Sequence, residues 1–373
     1  MSRAFSRAKR IAAVVAITAG TFTALAPAWA DEEKVLHVYN WADYIGPTTL
    51  ADFEKETGIK VTYDTYDSSE TVDAKLMAGK SGYDVVLHSG SFLPRLIKAG
   101  IFQKLDKSKL TNWGNLSPKT LELFSQTYDP GNDYGVPYMW GTVGVTFNVD
   151  LVKERIPDAP LDNLDMLLKP EYAKKLADCG ISVLDSPTDV VPMVLAYLGK
   201  DPKSYKPAEL KAVVEAFNGI RSDIKTFDSE NYLNALPNKE LCMAVTWAGD
   251  YATAMARAKE AGVSINLKYV VPKTGSPSWF DAWAVPADAP HPDNAMKFLN
   301  FMLRPDVIAA ATNLTHYANS IPSSDKLVDP AILNDPAVYP DATVMARVWP
   351  KEAEQSGTQR DLTRAWSRIR TGQ

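Results

Sequence analysis

The chain has 373 residues, 40 Lys and Arg against 45 Asp and Glu, and a formal net charge of −5. The acidic balance argues against a nucleic-acid partner. Two cysteines without a CxxC argue against a thiolate metal or redox motif.

The first segment carries Arg3, Arg7, Lys9 and Arg10 ahead of the apolar stretch 11–25, and Ala28-Trp29-Ala30 offers a small-x-small cleavage site. This is the pattern of an export signal, with a mature chain starting at Asp31. Its removal leaves 36 basic against 45 acidic residues, a balance of −9. No cysteine follows the cleavage site to take a lipid anchor, and no later stretch has the roughly 18 uncharged apolar residues of a membrane span. The expected product is soluble and exported.

Residues 35–39 predict a first strand. It hands over to Trp41-Ala42-Asp43-Tyr44, and Leu50 and Phe53 then share one face of a helix that Gly58 ends. Residues 59–65 alternate as a second strand. Ser68 or Ser69 can cap a helix carrying Val72, Leu76 and Met77 that stops at Gly79, and 83–87 predict a third strand. Consecutive strand-helix units require crossovers, so they specify a parallel sheet covered on both faces. Ligands of such sheets bind beyond the carboxyl ends of the strands. Trp41, Asp43, Ser89 and Ser91 all fall on that rim.

Further along, Pro207 opens a helix with Leu210, Val213, Val214 and Phe217 on one face, and 241–247 read as a buried strand. Ala295, Phe298, Leu299 and Met302 form another apolar stripe, stopped before Pro305. A mature length of 343 residues, 373 less the first 30, favours two lobes over one core. No flexible linker separates them, which predicts short hinge strands.

No HExxH, G-x-S-x-G, Walker or G-x-G-x-x-G motif occurs, and His37, His88, His291 and His316 are scattered. The chain therefore offers no motif for an enzyme, a resident metal or a cofactor. What recurs is an aromatic beside a carboxylate: Trp41 with Asp43 and Tyr44, Trp247 with Asp250, and Trp279-Phe280-Asp281. An ammonium leaves water at a cost of several kcal/mol unless a carboxylate replaces its hydration. Asp43, Asp189, Asp250 and Asp281 can supply such partners. Flat walls from Trp41, Trp247, Trp279, Phe280 and Tyr317 suit a methylene stem and add cation-π attraction of up to about 2 kcal/mol. Singly, each Trp is more often core and each Asp more often a cap or a solvated charge; together they suggest one composite pocket for a cation with an apolar stem. Cys179 and Cys242, in an oxidising compartment, suggest one disulfide, with two free buried thiols as the alternative.

Several stretches together resemble the periplasmic polyamine-binding proteins that feed ABC importers, along the whole mature length. They are Tyr39-Asn40-Trp41-Ala42-Asp43-Tyr44-Ile45, Phe53-Glu54-Lys55-Glu56-Thr57-Gly58-Ile59, Lys75-Leu76-Met77-Ala78-Gly79, Pro137-Tyr138-Met139-Trp140-Gly141, Trp247-Ala248-Gly249-Asp250 and Phe298-Leu299-Asn300-Phe301-Met302-Leu303-Arg304-Pro305. The putrescine-binding branch is the most similar. The resemblance implies an α/β fold of two lobes (type II), each a mostly parallel sheet flanked by helices, with the ligand cleft between them. Residues 31–140 with about 265–305 would form the first lobe, and about 141–264 with 306–373 the second. It implies ligand contacts from Trp41, Asp43, Tyr44, Ser89, Ser91, Asp189, Trp247, Asp250, Trp279, Phe280, Asp281 and Tyr317. Asp250 and Asp281 would hold one ammonium, and Asp43 or Asp189 the other end. Cys179 and Cys242 fall where that branch has a disulfide. The implied partners are a polyamine and the permease subunits of an importer with their ATPase, and the implied state is a monomer.

Three departures bear on which polyamine is bound. Ala42 stands where relatives carry Ser or Thr, Asp189 where they often have Glu, and Trp279 where putrescine binders often have Phe; Trp there accompanies spermidine preference. Three extra methylenes favour spermidine by roughly 2.4 kcal/mol, at about 0.8 kcal/mol each. An unpaired third ammonium reverses that gain. Putrescine, spermidine or both are therefore expected. The alternatives are a receptor for another organic cation such as choline or a cationic amino acid, a periplasmic amine enzyme, and a polyamine sensor that signals to a membrane receptor.

Overall fold

In the computed structural model, which describes residues 32–66, 68–353 and 356–373, the chain begins with strand Val35–Trp41 (β1). Thr49–Thr57 (α1), Lys60–Tyr66 (β2), Ser69–Met77 (α2) and Val85–Ser89 (β3) follow. The export signal read from residues 1–30 lies outside the described residues, and Glu33–Gln373 forms one unit. β1 pairs in parallel with β2 from Val35↔Lys60 to Trp41↔Tyr66, and with β3 at Val38↔Val85. Gly58 ends α1 at φ +71, where its N–H donates to the Glu54 carbonyl. A residue without Cβ takes that left-handed conformation at little cost. Ser68 caps α2, its side chain accepting from the Thr71 N–H.

The remaining strands are Gly135–Asn148 (β4), Ile181–Val183 (β5), Thr226–Phe227 (β6), Met243–Trp247 (β7), Leu267–Val270 (β8), Ser276–Ala284 (β9), Ala318–Asn319 (β10) and Val348–Pro350 (β11). The helices that bear on the site are Pro187–Tyr197 (α3), Pro207–Asn218 (α4), Ala248–Glu260 (α5), Pro292–Met302 (α6) and Pro305–Thr315 (α7). Neighbouring strands run in the order β2-β1-β3-β9-β4-β7-β5-β6. The sheet is mixed rather than mostly parallel. Parallel blocks β2-β1-β3 and β7-β5-β6 follow from the strand-helix units, while β4 and β9 join them antiparallel. β4 is long enough to serve both halves: Gly135–Thr142 pairs with β9, and Val143–Asn148 with β7 and β8. β10 pairs with β4 and β11 with β9.

Apolar periodicity carries through to packing. Leu210, Val213, Val214 and Phe217 of α4 are buried, as are Ala295, Phe298, Leu299 and Met302 of α6. Phe298 meets Phe53 edge-on at 5.2 Å and Trp283 at 5.7 Å, which ties α6 to α1 and β9. Burying each such side chain contributes about 1.5–3 kcal/mol. Met77, expected on the apolar face of α2, is 47% exposed at the last turn. Cys179 and Cys242 form a disulfide with a Cα separation of 5.4 Å. They precede β5 and β7, whose parallel register matches Ile181 with Met243, so the bridge lies at the amino ends of these strands. Among the described residues no helix is long and apolar enough to cross a membrane.

Candidate functional site

The carboxyl ends of β1, β3, β5 and β7 converge with the middle of β9. Each parallel strand ends in a residue or a helix start that carries a polar side chain. β1 ends in Trp41, whose ring lies 4.5 Å from that of Tyr66. β3 ends in Ser89, directly opposite Asp281 in the antiparallel register with β9, and Ser89 Oγ is 3.5 Å from Ser91 Oγ. Directly paired residues point to one face, so Ser89 and Asp281 share it. β5 leads into α3, whose first turn holds Asp189, and β7 ends in Trp247, which caps α5 with Asp250 in its first turn.

Asp250 is held by two phenols. Tyr317 donates to Oδ1 at 2.6 Å, and Tyr232 donates to Oδ2. Burial pushes the Asp250 carboxyl up to about 6, against the opposing effect of these hydrogen bonds. Both phenols titrate far above their ordinary range, chiefly because they are buried, and so remain donors. Tyr317 reaches this place because His316 closes α7 in the left-handed conformation at φ +58. Gly249 lets the ring approach: a Cβ there would stand 2.5 Å from Tyr317 Cε1. The ring also meets Trp279 edge-on at 4.9 Å. Trp279 lies across Gly141, its register partner, where a Cβ would stand 2.7 Å from the indole.

Asp281 is 7% exposed, and burial pushes its carboxyl up to about 7. The Tyr44 hydroxyl and the Lys351 charge oppose this shift, while Asp189 adds to it. The Tyr44 hydroxyl is directed at Asp281 without closing a hydrogen bond of ordinary geometry, and its ring contacts Tyr138 at 5.7 Å and Tyr317 at 6.0 Å. Asp189 is buried. One oxygen accepts from Ser186 Oγ at 2.7 Å and Trp247 Nε1 at 3.3 Å, and the other lies 3.0 Å from Lys351 Nζ. The indole N–H groups of Trp41 and Trp279 and the hydroxyl of Tyr44 are buried without a hydrogen-bond partner among the described residues. Buried polar atoms left in this way usually mark a strained or functional place.

The structure thus brings together Trp41, Tyr44, Ser89, Ser91, Asp189, Trp247, Asp250, Trp279, Asp281 and Tyr317. Two expected residues stand apart. Asp43 is exposed, in the turn after β1 at φ +52, and its charge bears on Tyr63. Phe280 alternates to the opposite face of β9 from Trp279 and Asp281 and packs with Tyr39, Tyr66 and Phe92, its ring stacked 6.1 Å from Trp140. Asp250 and Asp281, expected to share one ammonium, also have different immediate neighbours: Tyr232 and Tyr317 for the first, Tyr44 and Lys351 for the second. Tyr232 and Lys351 join the site without a local sequence signal. Neither stands in an aromatic-acidic pair, and only tertiary structure brings them to Asp250 and Asp189.

Two of the scattered histidines also meet. His37, Asp84 and His291 place possible ligand atoms within 4.8 Å of one another. The Asp84 carboxylate already accepts from the His37 N–H at 2.8 Å, the His291 N–H at 2.6 Å and His291 Nδ1 at 3.1 Å, which suits a tie between β1 and the start of α6. A groove of about 530 Å³ between α1 and α6, lined by Glu56, Lys109, Asp293 and Arg304 among others, contains none of the expected residues.

Residues 48–340 match the model of the bacterial extracellular solute-binding protein family. The putrescine-binding periplasmic protein SpuD of Pseudomonas aeruginosa (strain UCBPP-PA14) is 48% identical over 346 residues, 92% of this chain and 94% of its own. The putrescine-binding periplasmic protein PotF of Escherichia coli (strain K12) is 44% identical over 362 residues, 96% of each chain. A solved structure described as a putative spermidine/putrescine ABC transporter from Listeria monocytogenes superposes with a TM-score of 0.80 at 29% identity, covering 91% of this chain and 100% of that one. The architecture is that of the type II periplasmic binding proteins, a mixed sheet with flanking helices. By its matched family model and by identity over nearly its full length, the chain belongs to the bacterial extracellular solute-binding proteins, in the polyamine-binding group that includes the putrescine-binding periplasmic proteins.

Proposed function

We propose that this protein is an exported periplasmic receptor, cleaved after Ala30, that captures a polyamine and delivers it to the permease of an ABC importer. The observation that carries the reading is the set of three carboxylates, buried Asp189 and Asp281 with half-buried Asp250, interleaved with Trp247, Trp279, Tyr44 and Tyr317 at the carboxyl ends of four parallel strands. Three acids against one buried lysine leave the site short of positive charge, and a buried charge is stable only when paired. An organic cation with an apolar stem supplies both the charge and the surface.

In this reading Asp250 takes one ammonium, supported by Tyr232 and Tyr317, while Trp279 and Trp247 flank the stem. Asp281 takes the other end, with the Tyr44 and Ser89 hydroxyls as further acceptors. Ser91 supports Ser89, Trp41 closes the rim, and Asp43 acts from outside the buried group. The two lobes close about the crossing strands β4 and β9, with β8 on the side of β7 and β10 and β11 on the side of β1 and β3. The closed monomer presents the surface that the permease reads. The protein performs no chemistry on its ligand and needs no cofactor, because binding and release complete its task.

Retention of radiolabelled putrescine by the ligand-free protein tests the reading, with unlabelled spermidine, choline, arginine and γ-aminobutyrate as competitors. Displacement by polyamines and not by the other three supports it. Displacement by choline or arginine at equal concentration contradicts it. Loss of polyamine uptake on deletion of the protein separates transport from signalling.

A further inference from the structure

Lys351 is the anomaly of the site. It follows β11 directly and is 9% exposed, and its backbone is pinned on both sides. Its N–H donates to the Ser278 carbonyl at 2.7 Å, and its carbonyl accepts from the buried Tyr128 hydroxyl at 2.6 Å. The side chain therefore leaves a fixed point of the β9 edge, and its ammonium stands 3.0 Å from Asp189, which is itself buried. The second Asp189 oxygen is already engaged by Ser186 and Trp247. Asp189 thus has its cation built in, whereas Asp250 is hydrogen-bonded by two phenols and feels the Arg257 charge from beyond ion-pair distance.

We infer that Lys351 is a specificity-determining residue that takes the place of a ligand ammonium at Asp189 and so selects a short diamine over a longer triamine. The inference rests on the polyamine reading of the site. A diamine places its two charges at Asp250 and Asp281 and leaves the Lys351–Asp189 pair intact. A triamine that spans the same two acids carries its third ammonium onward to Lys351, where like charges meet in a buried space. Displacing Lys351 instead strands its ammonium without a partner, and an unpaired buried charge is costly. The pair therefore works as a stop for ligand length, through repulsion of the longer competitor rather than attraction of the shorter one. This opposes the spermidine preference associated with Trp279.

The test is calorimetric titration of the ligand-free mature protein, and of Lys351→Gln and Lys351→Gln/Asp189→Asn, with putrescine and with spermidine. The inference predicts that the wild-type protein binds putrescine at least tenfold more tightly than spermidine. Lys351→Gln frees Asp189 for the third ammonium and shifts the ratio at least tenfold toward spermidine. The double variant loses that shift, because the freed acceptor is gone. A wild-type preference for spermidine overturns the inference without any variant. So does a Lys351→Gln protein, folded by its melting transition, whose affinities for the two ligands change by the same factor. Binding of neither ligand by the wild-type protein overturns the polyamine reading itself, a result distinct from an unshifted ratio.

Discussion

Tyr317 donates a 2.6 Å hydrogen bond to Oδ1 of Asp250, joining the segment just past the C-cap of α7 to the first turn of α5. The bond fixes the carboxylate facing the cleft while the Tyr317 ring braces Trp279. Asp250→Asn removes the charge and keeps the shape. It should weaken putrescine binding by about 1.5–3 kcal/mol, the usual value of a charged hydrogen bond, or roughly ten- to a hundredfold. Tyr317→Phe keeps the ring and should cost less. Titration of both variants checks the order, and an Asp250→Asn protein with unchanged affinity contradicts the role given to Asp250.

Stabilisation by the ligand should depend on pH in one direction. Burial pushes Asp281 up to about 7 and Asp250 up to about 6 from an ordinary value of 3.8. Between about pH 4 and 7 the ligand-free folded state therefore holds protons that the unfolded chain has released, and these two groups make it less stable as pH rises through that window. A bound diammonium favours the ionised carboxylates, so binding below about pH 7 releases protons and weakens as pH falls. Melting with and without putrescine should show a ligand-induced increase that grows from pH 5 to pH 8. Calorimetry in two buffers of different ionisation enthalpy should detect the released protons. A pH-independent increase contradicts the account.

Gly249→Ala tests the close approach of Tyr317. The new methyl would stand 2.5 Å from Cε1 of the ring, so the ring must move. Overpacking of this kind costs about 1–3 kcal/mol of stability. Because the shift disturbs both Asp250 and Trp279, affinity should fall with stability. A variant with wild-type melting and wild-type affinity would show that the ring has another place to go.

The disulfide should matter for stability and not for binding. It closes a separation of 63 residues, for which loop entropy predicts about 4 kcal/mol. It also sits at the amino ends of β5 and β7, whereas Asp189 follows β5 and Trp247 ends β7. Cys179→Ser/Cys242→Ser should lower the urea midpoint markedly and leave the putrescine affinity of the folded protein unchanged.

The sequence reads well where the physics is local. Helix stops at Gly58, the cap at Ser68 and the stripe from Ala295 to Met302 need only neighbours in the chain, and all form as the periodicity requires. The placement of Trp41, Ser89 and Trp247 at strand ends follows from the same local reading plus the rule for parallel sheets. The antiparallel entry of β4 and β9 is not legible, because strand direction at a crossing depends on how two halves of the chain meet. Adjacency alone groups Phe280 with Trp279 and Asp281, but a strand turns successive side chains to opposite faces, and that period over 276–284 separates them. Lys351 carries no local signal at all. Its role arises from Asp189, Ser278 and Tyr128, residues remote in sequence.

The most direct test of the central claim is calorimetric titration of refolded, ligand-free mature protein with putrescine. Saturable binding of one putrescine per chain is expected, with affinity lost on changing Asp250 and retained on changing the disulfide. No heat of binding at any putrescine concentration up to the millimolar range, from protein that melts cooperatively, would contradict it.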